Sequence, residues 1–171
     1  DFDEFKERGP DYGEGYGLSD QVLESSANTP EVNAIISTAN ELQLPPQEFA
    51  AILMGESSMN PNVWGGLNKN HFGLIQMGTE ERAKYLDPTK IANRSYTIQE
   101  QLPAIKNFLL DRGFIPGQHA TKEAYRTIHA GNPGARGFDG SVYTDENSLR
   151  MMPGGDLYQQ AGAYLGFTDP Y

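Results

Sequence analysis

Glu56 is the residue of this chain whose type and position could do acid–base chemistry. It ends the run Phe49-Ala50-Ala51-Ile52-Leu53-Met54-Gly55-Glu56-Ser57, where Phe49, Ile52 and Leu53 share one helical face and Glu56 follows on that face two turns from Phe49. A carboxylate on the core-facing stripe of a helix is rare, because burying its charge is costly without a partner. It also lies near the helix C-terminus, where the helix dipole disfavours negative charge. Both effects push the pKa of such a group upward, toward a carboxyl that still holds a proton near neutrality. A general acid needs that property. The same spacing admits a plainer reading, in which Glu56 is the first solvated residue after a frayed helix end.

The residues that follow favour the chemical reading. Ser57-Ser58-Met59-Asn60-Pro61-Asn62 ends the helix, a polar, Gly-rich loop carries Trp64, Gly65, Gly66 and His71, and the chain tightens into Phe72-Gly73-Leu74-Ile75-Gln76-Met77. Glu-Ser followed by Asn-Pro and then Gly-Leu-Ile-Gln resembles the soluble lytic transglycosylase and goose-type lysozyme group, over roughly residues 30–134. The resemblance implies that Glu56 is the catalytic acid and that Ser57 helps to position substrate. It also implies that Gly73, Leu74, Ile75 and Gln76 line the sugar groove, with Ile75 in the place of the usual Met. At Ile128-His129-Ala130-Gly131 the group commonly has Tyr-Asn-Ala-Gly. That Tyr normally bonds the catalytic acid and Ile128 cannot, so Tyr125, Tyr96 or Tyr143 would have to supply the hydroxyl. Phage tail and tape-measure proteins carry looser versions of these motifs, and Asp139-Gly140-Ser141-Val142 looks like theirs.

Two-carboxylate glycosidases need a second acid across the scissile bond. In the goose-type group an Asp shortly after the turn is a candidate, but here Met77-Gly78 follows Gln76 and no acid precedes Glu80 and Glu81. Those two are better explained as first-turn helix acids. The single-acid chemistry of lytic transglycosylases, which are lyases, fits better. It implies that Glu56 protonates the glycosidic oxygen, that the substrate acetamido group stabilises the cation, and that Glu56 then takes the C6 hydroxyl proton to leave a 1,6-anhydro end. The alternatives are a goose-type muramidase or chitinase hydrolysing the same type of bond, and a non-catalytic wall-binding virion domain.

The remaining polar residues have bland readings beside the functional ones. His71 and His129 could touch sugar, though a solvated loop accounts for His71. Trp64 could stack on a sugar face or anchor its loop. His119 and His129 lack a third ligand at metal spacing, and Asp139, Asp145 and Glu146 do not form a calcium loop, so no metal or other cofactor is expected.

These residues need a scaffold, and the rest of the chain reads as helices. Thr29-Pro30-Glu31 starts one whose apolar face is Val32, Ile35, Ile36 and Ala39; Leu44-Pro45-Pro46 breaks the chain and launches the Glu56 helix as the second arm of a hairpin. Thr79 to Tyr85 reads as a short capped helix. Thr97-Ile98-Gln99-Glu100 resembles a capping box ahead of Leu102, Ile105, Phe108 and Leu109, with Gly113 as the stop. Pro103 conflicts with an unbroken helix there, which predicts a start near Leu102 or an irregular first turn. Ala120 to Ala130 is a further helix, Arg136 to Tyr143 a loop, Thr144 to Met151 a short helix, and Asp156 to Tyr164 the last. The expected fold is mainly α, a lysozyme-like helical domain over 29–171 with its core in 30–134 and a helical extension in 135–171. Residues 1–28, rich in Asp, Glu, Gly and Tyr, read as an extended lead-in, with Tyr12 and Tyr16 as linker chemistry and Val22 and Leu23 docking on the domain.

Composition limits the partners. The 171 residues carry a net charge of −10 and show no basic patch to neutralise phosphates, which argues against nucleic acid. No run is long enough to span a membrane, and with no Cys the redox compartment is open. Asp1 opens the chain without a Met or a leader, as expected of a processed product or a domain of a longer polypeptide. An acidic enzyme acting on anionic walls would reach its polymer by tethering. The resemblance implies peptidoglycan glycan strands and a larger polypeptide or virion as partners, and a virion-associated or extracellular cell-envelope location, to which the charge adds only the need for tethering.

Overall fold

The computed structural model describes residues 28–135 and 146–167. The lead-in, the 136–143 loop, the Asp139–Val142 segment, Tyr143 and Asp145 lie outside the described residues. Within them the protein is mainly α-helical. Helix α1 spans Pro30–Glu41, with the Val32 N–H donating to the Thr29 hydroxyl at 3.2 Å and Pro30 opening the first turn. It buries Val32, Ile35 and Ala39. Helix α2, Pro46–Ser57, follows after a turn closed by the Leu44 N–H on the Ala39 carbonyl.

Helix α2 is not the amphipathic element its spacing suggests. Phe49 to Met54 are all fully buried, so the helix is apolar around its circumference. Such a helix is the centre of a core rather than a surface layer. Helix α1 packs on it from one side, and the C-terminal helix α7, Asp156–Leu165, from another. Gly55 permits that approach: a Cβ there would stand 2.8 Å from the Leu157 Cδ1.

The expected polar loop after α2 is a small antiparallel hairpin, β1 at Trp64–Gly65 and β2 at His71–Phe72, joined by a 3-10 turn at Leu67–Lys69. With only two residues to a strand, no alternating pattern was there to be read. Helix α3, Thr79–Tyr85, takes Gly78 rather than Thr79 as its cap: Glu81 reaches back to accept the Gly78 N–H at 3.0 Å. A further short helix, α4 at Pro88–Asn93, is capped by Asp87 through the Thr89 N–H at 2.9 Å and opened by Pro88.

Helix α5, Ile98–Asp111, starts at the Thr97–Glu100 capping box and runs through Pro103, with neither of the expected irregularities. Pro103 lies on the exposed face, where loss of the bond to the Gln99 carbonyl is tolerated better than in the core. Helix α6, Thr121–Ala130, ends on Gly131 at φ 99°. The segment expected as a short helix ending at Met151 is a 3-10 turn over Glu146–Met151, and α7 ends on Gly166. The Arg150 guanidinium in that turn grips the Asp156 carboxylate with two bonds, of 2.9 and 2.8 Å, and so ties the turn to α7. No helix among the described residues is long and apolar enough to cross a membrane.

Candidate functional site

Glu56 lies in the last turn of α2 and is 1% exposed, so the frayed-end reading does not hold. The Ser57 hydroxyl beside it donates to the Leu53 carbonyl at 2.9 Å, a bond made within the helix rather than toward a groove. Ser58 and Met59, both in the left-handed region, then turn the chain away. Asn62 pins the loop: its amide donates to the Tyr96 carbonyl at 2.9 Å and its Oδ1 accepts the Tyr96 N–H at 3.0 Å.

The Gly73–Gln76 segment is a tight turn closed by paired bonds between Phe72 and Met77, of 3.0 and 2.8 Å. Two features force it. Gly73 has φ 89°, and a Cβ on it would come within 2.5 Å of the Gln101 Oε1. Gln76, also left-handed, folds its side-chain amide under the turn and donates to the Gly73 and Val63 carbonyls, at 2.9 and 3.2 Å. Gln101 on α5 is buried and accepts the Leu74 N–H at 2.6 Å while donating to the Pro61 carbonyl at 3.0 Å. This one amide joins the turn, the Asn-Pro loop and α5. Sequence reasoning missed it, although a polar residue between Ile98 and Leu102 on an apolar face is the same signal that marked Glu56.

Beside the turn lies a groove of about 230 Å³. The turn contributes Ile75, Gln76 and Met77; β2 contributes His71; α6 and its cap contribute Thr127, Ile128, His129 and Gly131. Phe108 and Arg112 from α5 and Glu81 from α3 complete it. Of the expected site residues, the groove gathers Ile75, Gln76, His71 and His129. Glu56, Ser57, Gly73, Leu74, Trp64 and Tyr125 are not on its walls. Across it Arg112 donates to the Glu81 Oε2 at 3.1 Å and to the Gly131 carbonyl at 3.4 Å, with its guanidinium over the Phe108 ring. Glu81 is thus a helix cap, as expected, and also an ion-pair partner. Arg112 carried no sequence signal beyond that of a cation near a helix end.

Trp64 is an anchor in this arrangement. Its ring packs against Phe72, with centroids 4.9 Å apart, and carries the Arg82 guanidinium at 4.9 Å. Arg82 in turn donates to the Asn70 and Met77 carbonyls, so the hairpin is fastened to α3. Among the tyrosines weighed against Ile128, Tyr96 accepts the Asp87 N–H at 2.6 Å, which places its hydroxyl at the start of α4. Tyr125 is fully buried on α6 and stacks on His129 at 5.3 Å. No cluster of three or more His, Cys, Asp or Glu among the described residues could hold a metal ion. The chain matches no family model, no curated protein and no solved structure.

Proposed function

We propose that this chain is a peptidoglycan lytic transglycosylase, cleaving the β-1,4 bond of glycan strands through Glu56 as its single general acid and base. The observation that carries the reading is the seat of Glu56: a carboxyl 1% exposed, in the last turn of the most deeply buried helix. On this reading Glu56 delivers the proton that cleavage of a glycosidic bond requires. The Gly73–Gln76 turn supports the reading as a rigid backbone edge, held by Gly73, Gln76 and Gln101 against the strand it would bind. In this scheme Glu56 protonates the leaving oxygen and then accepts the C6 hydroxyl proton, so one carboxylate serves both halves. The chain would act at the cell envelope, as a module of a larger polypeptide or virion.

The depth of Glu56 and the internal bond of the Ser57 hydroxyl also favour a second reading, a non-catalytic wall-binding domain. Release of soluble muropeptides from purified walls separates the two. The wild-type chain is expected to release them, and Glu56→Gln to fold normally and lose about 10²–10⁴-fold in rate. Equal release by the two proteins, or none by either, removes the assignment of Glu56.

A further inference from the structure

We propose that the groove beside Gln76 is a carboxylate-binding subsite in which Arg112 receives an acid carried by the substrate next to the sugar being cleaved; this rests on the function proposed above. The groove holds about 230 Å³. Sites for drug-sized ligands run to roughly 300–1,000 Å³. It therefore has room for one short appendage, and Glu56 is not on its walls.

Its chemistry departs from that of the rest of the chain. The net charge is −10, yet the walls carry one cation, Arg112, for their one acid, Glu81. That acid is engaged on both oxygens, by the Gly78 N–H at 3.0 Å and by Arg112 at 3.1 Å. Arg112 is not engaged to the same degree. A guanidinium has five N–H donors. Arg112 makes two bonds, to Glu81 and to the Gly131 carbonyl, and its side chain is 39% exposed. Phe108 under the guanidinium and the Glu81 bond hold it in place before a ligand arrives. A held, partly exposed fork with donors to spare on the wall of a small groove suits a planar acceptor, and a carboxylate is the match among the groups a wall glycan carries.

That carboxylate has two sources with the same chemistry, the ether-linked acid of a muramyl sugar that carries no peptide, and the acids of the stem where one is attached through that group. The test is titration of the Glu56→Gln protein, in which no turnover intervenes, with N-acetylmuramic acid, with N-acetylmuramoyl-L-alanyl-D-isoglutamine and with N-acetylglucosamine. The readout is the Arg112 Nε–Hε NMR signal together with binding constants. The two acids should shift that signal and the uncharged sugar should not; a response to the first alone assigns the ether acid, and to the second alone the stem. Arg112→Gln should weaken binding of the responding acid about tenfold or more, the scale of a lost charge-assisted hydrogen bond.

Glu81→Gln guards against a merely structural role for the pair. Removing the competing carboxylate should tighten acid binding severalfold, whereas a purely structural pair would leave it unchanged or weaker. The inference is overturned if neither acid moves the Arg112 signal, or if the uncharged sugar moves it equally. If walls are never cleaved while the acids still bind through Arg112, the proposed activity falls and the subsite stands.

Discussion

At the scale of single residues, the polar groups that matter are those placed where apolar ones are expected. Glu56 and Gln101 both interrupt a buried helical face, and both are at most 1% exposed. The first could be read from the spacing of Phe49, Ile52 and Leu53. The second could have been read the same way, but its partners Leu74 and Pro61 lie 27 and 40 positions away, beyond any local pattern. Arg112, which meets Glu81 across 31 positions, was hidden for the same reason. The role expected of Ser57 rested on motif position, and its bond within the helix could not be seen from it. Trp64 stood open between sugar stacking and loop anchoring, and its contacts with Phe72 and Arg82 are those of an anchor. The turn yields a direct test. Gly73→Ala places a Cβ 2.5 Å from the Gln101 Oε1 at φ 89°. It should cost about 1–3 kcal/mol, the range for a strained backbone position, read as a lowered urea midpoint. An unchanged midpoint would mean that Gln101 does not set the turn.

At the scale of elements, the starts that Thr29 and Thr97 cap with their side chains were readable, whereas Asp87 caps α4 in the same way but only six residues follow it to carry a pattern. Gly131 and Gly166 close α6 and α7 in the left-handed region. The spacing of Phe49, Ile52 and Leu53 fits one helical face, whereas Ala50, Ala51 and Met54 between and after them are small or apolar and are buried as well in a helix packed by α1 and α7. The tie between the 3-10 turn and α7 is a pH-dependent element. Its bidentate bond to Arg150 holds the Asp156 carboxyl below its ordinary value of 3.8. A depressed folded-state pKa contributes stability that is fully present above the unfolded value and is lost as pH falls through the folded one. Asp156→Asn should therefore lower stability at pH 7 by about 0.5–1 kcal/mol, the value for a well-formed surface pair. The gap from wild type should hold down to about pH 5 and close below about pH 4. Urea midpoints across pH check this, and a gap that persists to the acid limit would show that packing, not charge, is lost. Glu100 adds to the same acid limb: Lys90 and the Thr97 N–H push its pKa down to about 2.

At the scale of the whole molecule, the mainly helical class followed from the run of caps and apolar stripes, whereas the closure of a groove by α3, α5 and α6 depends on how the helices cross. The net charge of −10 sets an expectation for any anionic polymer. Activity on walls should rise as salt increases from very low levels, because screening weakens the repulsion, and uncharged chito-oligosaccharides, if cleaved, should show little salt effect. A steady fall with salt would mean that local basic groups such as Arg112 dominate binding. The central claim is that one carboxylate carries both halves of the reaction, and the fragments themselves test it. Glu81 lines the groove beside the Gln76 turn, and its oxygens are held by the Gly78 N–H and Arg112, which leaves it poorly placed to activate water. On the proposed reading the C6 hydroxyl of the sugar is then the nucleophile at hand. Mass spectrometry of the muropeptides released from purified walls should find mainly 1,6-anhydro ends, each lighter by one water than the hydrolysed form. Mainly reducing ends would contradict the account and move the chain to the hydrolases, with Glu81 as the first residue to test as the base.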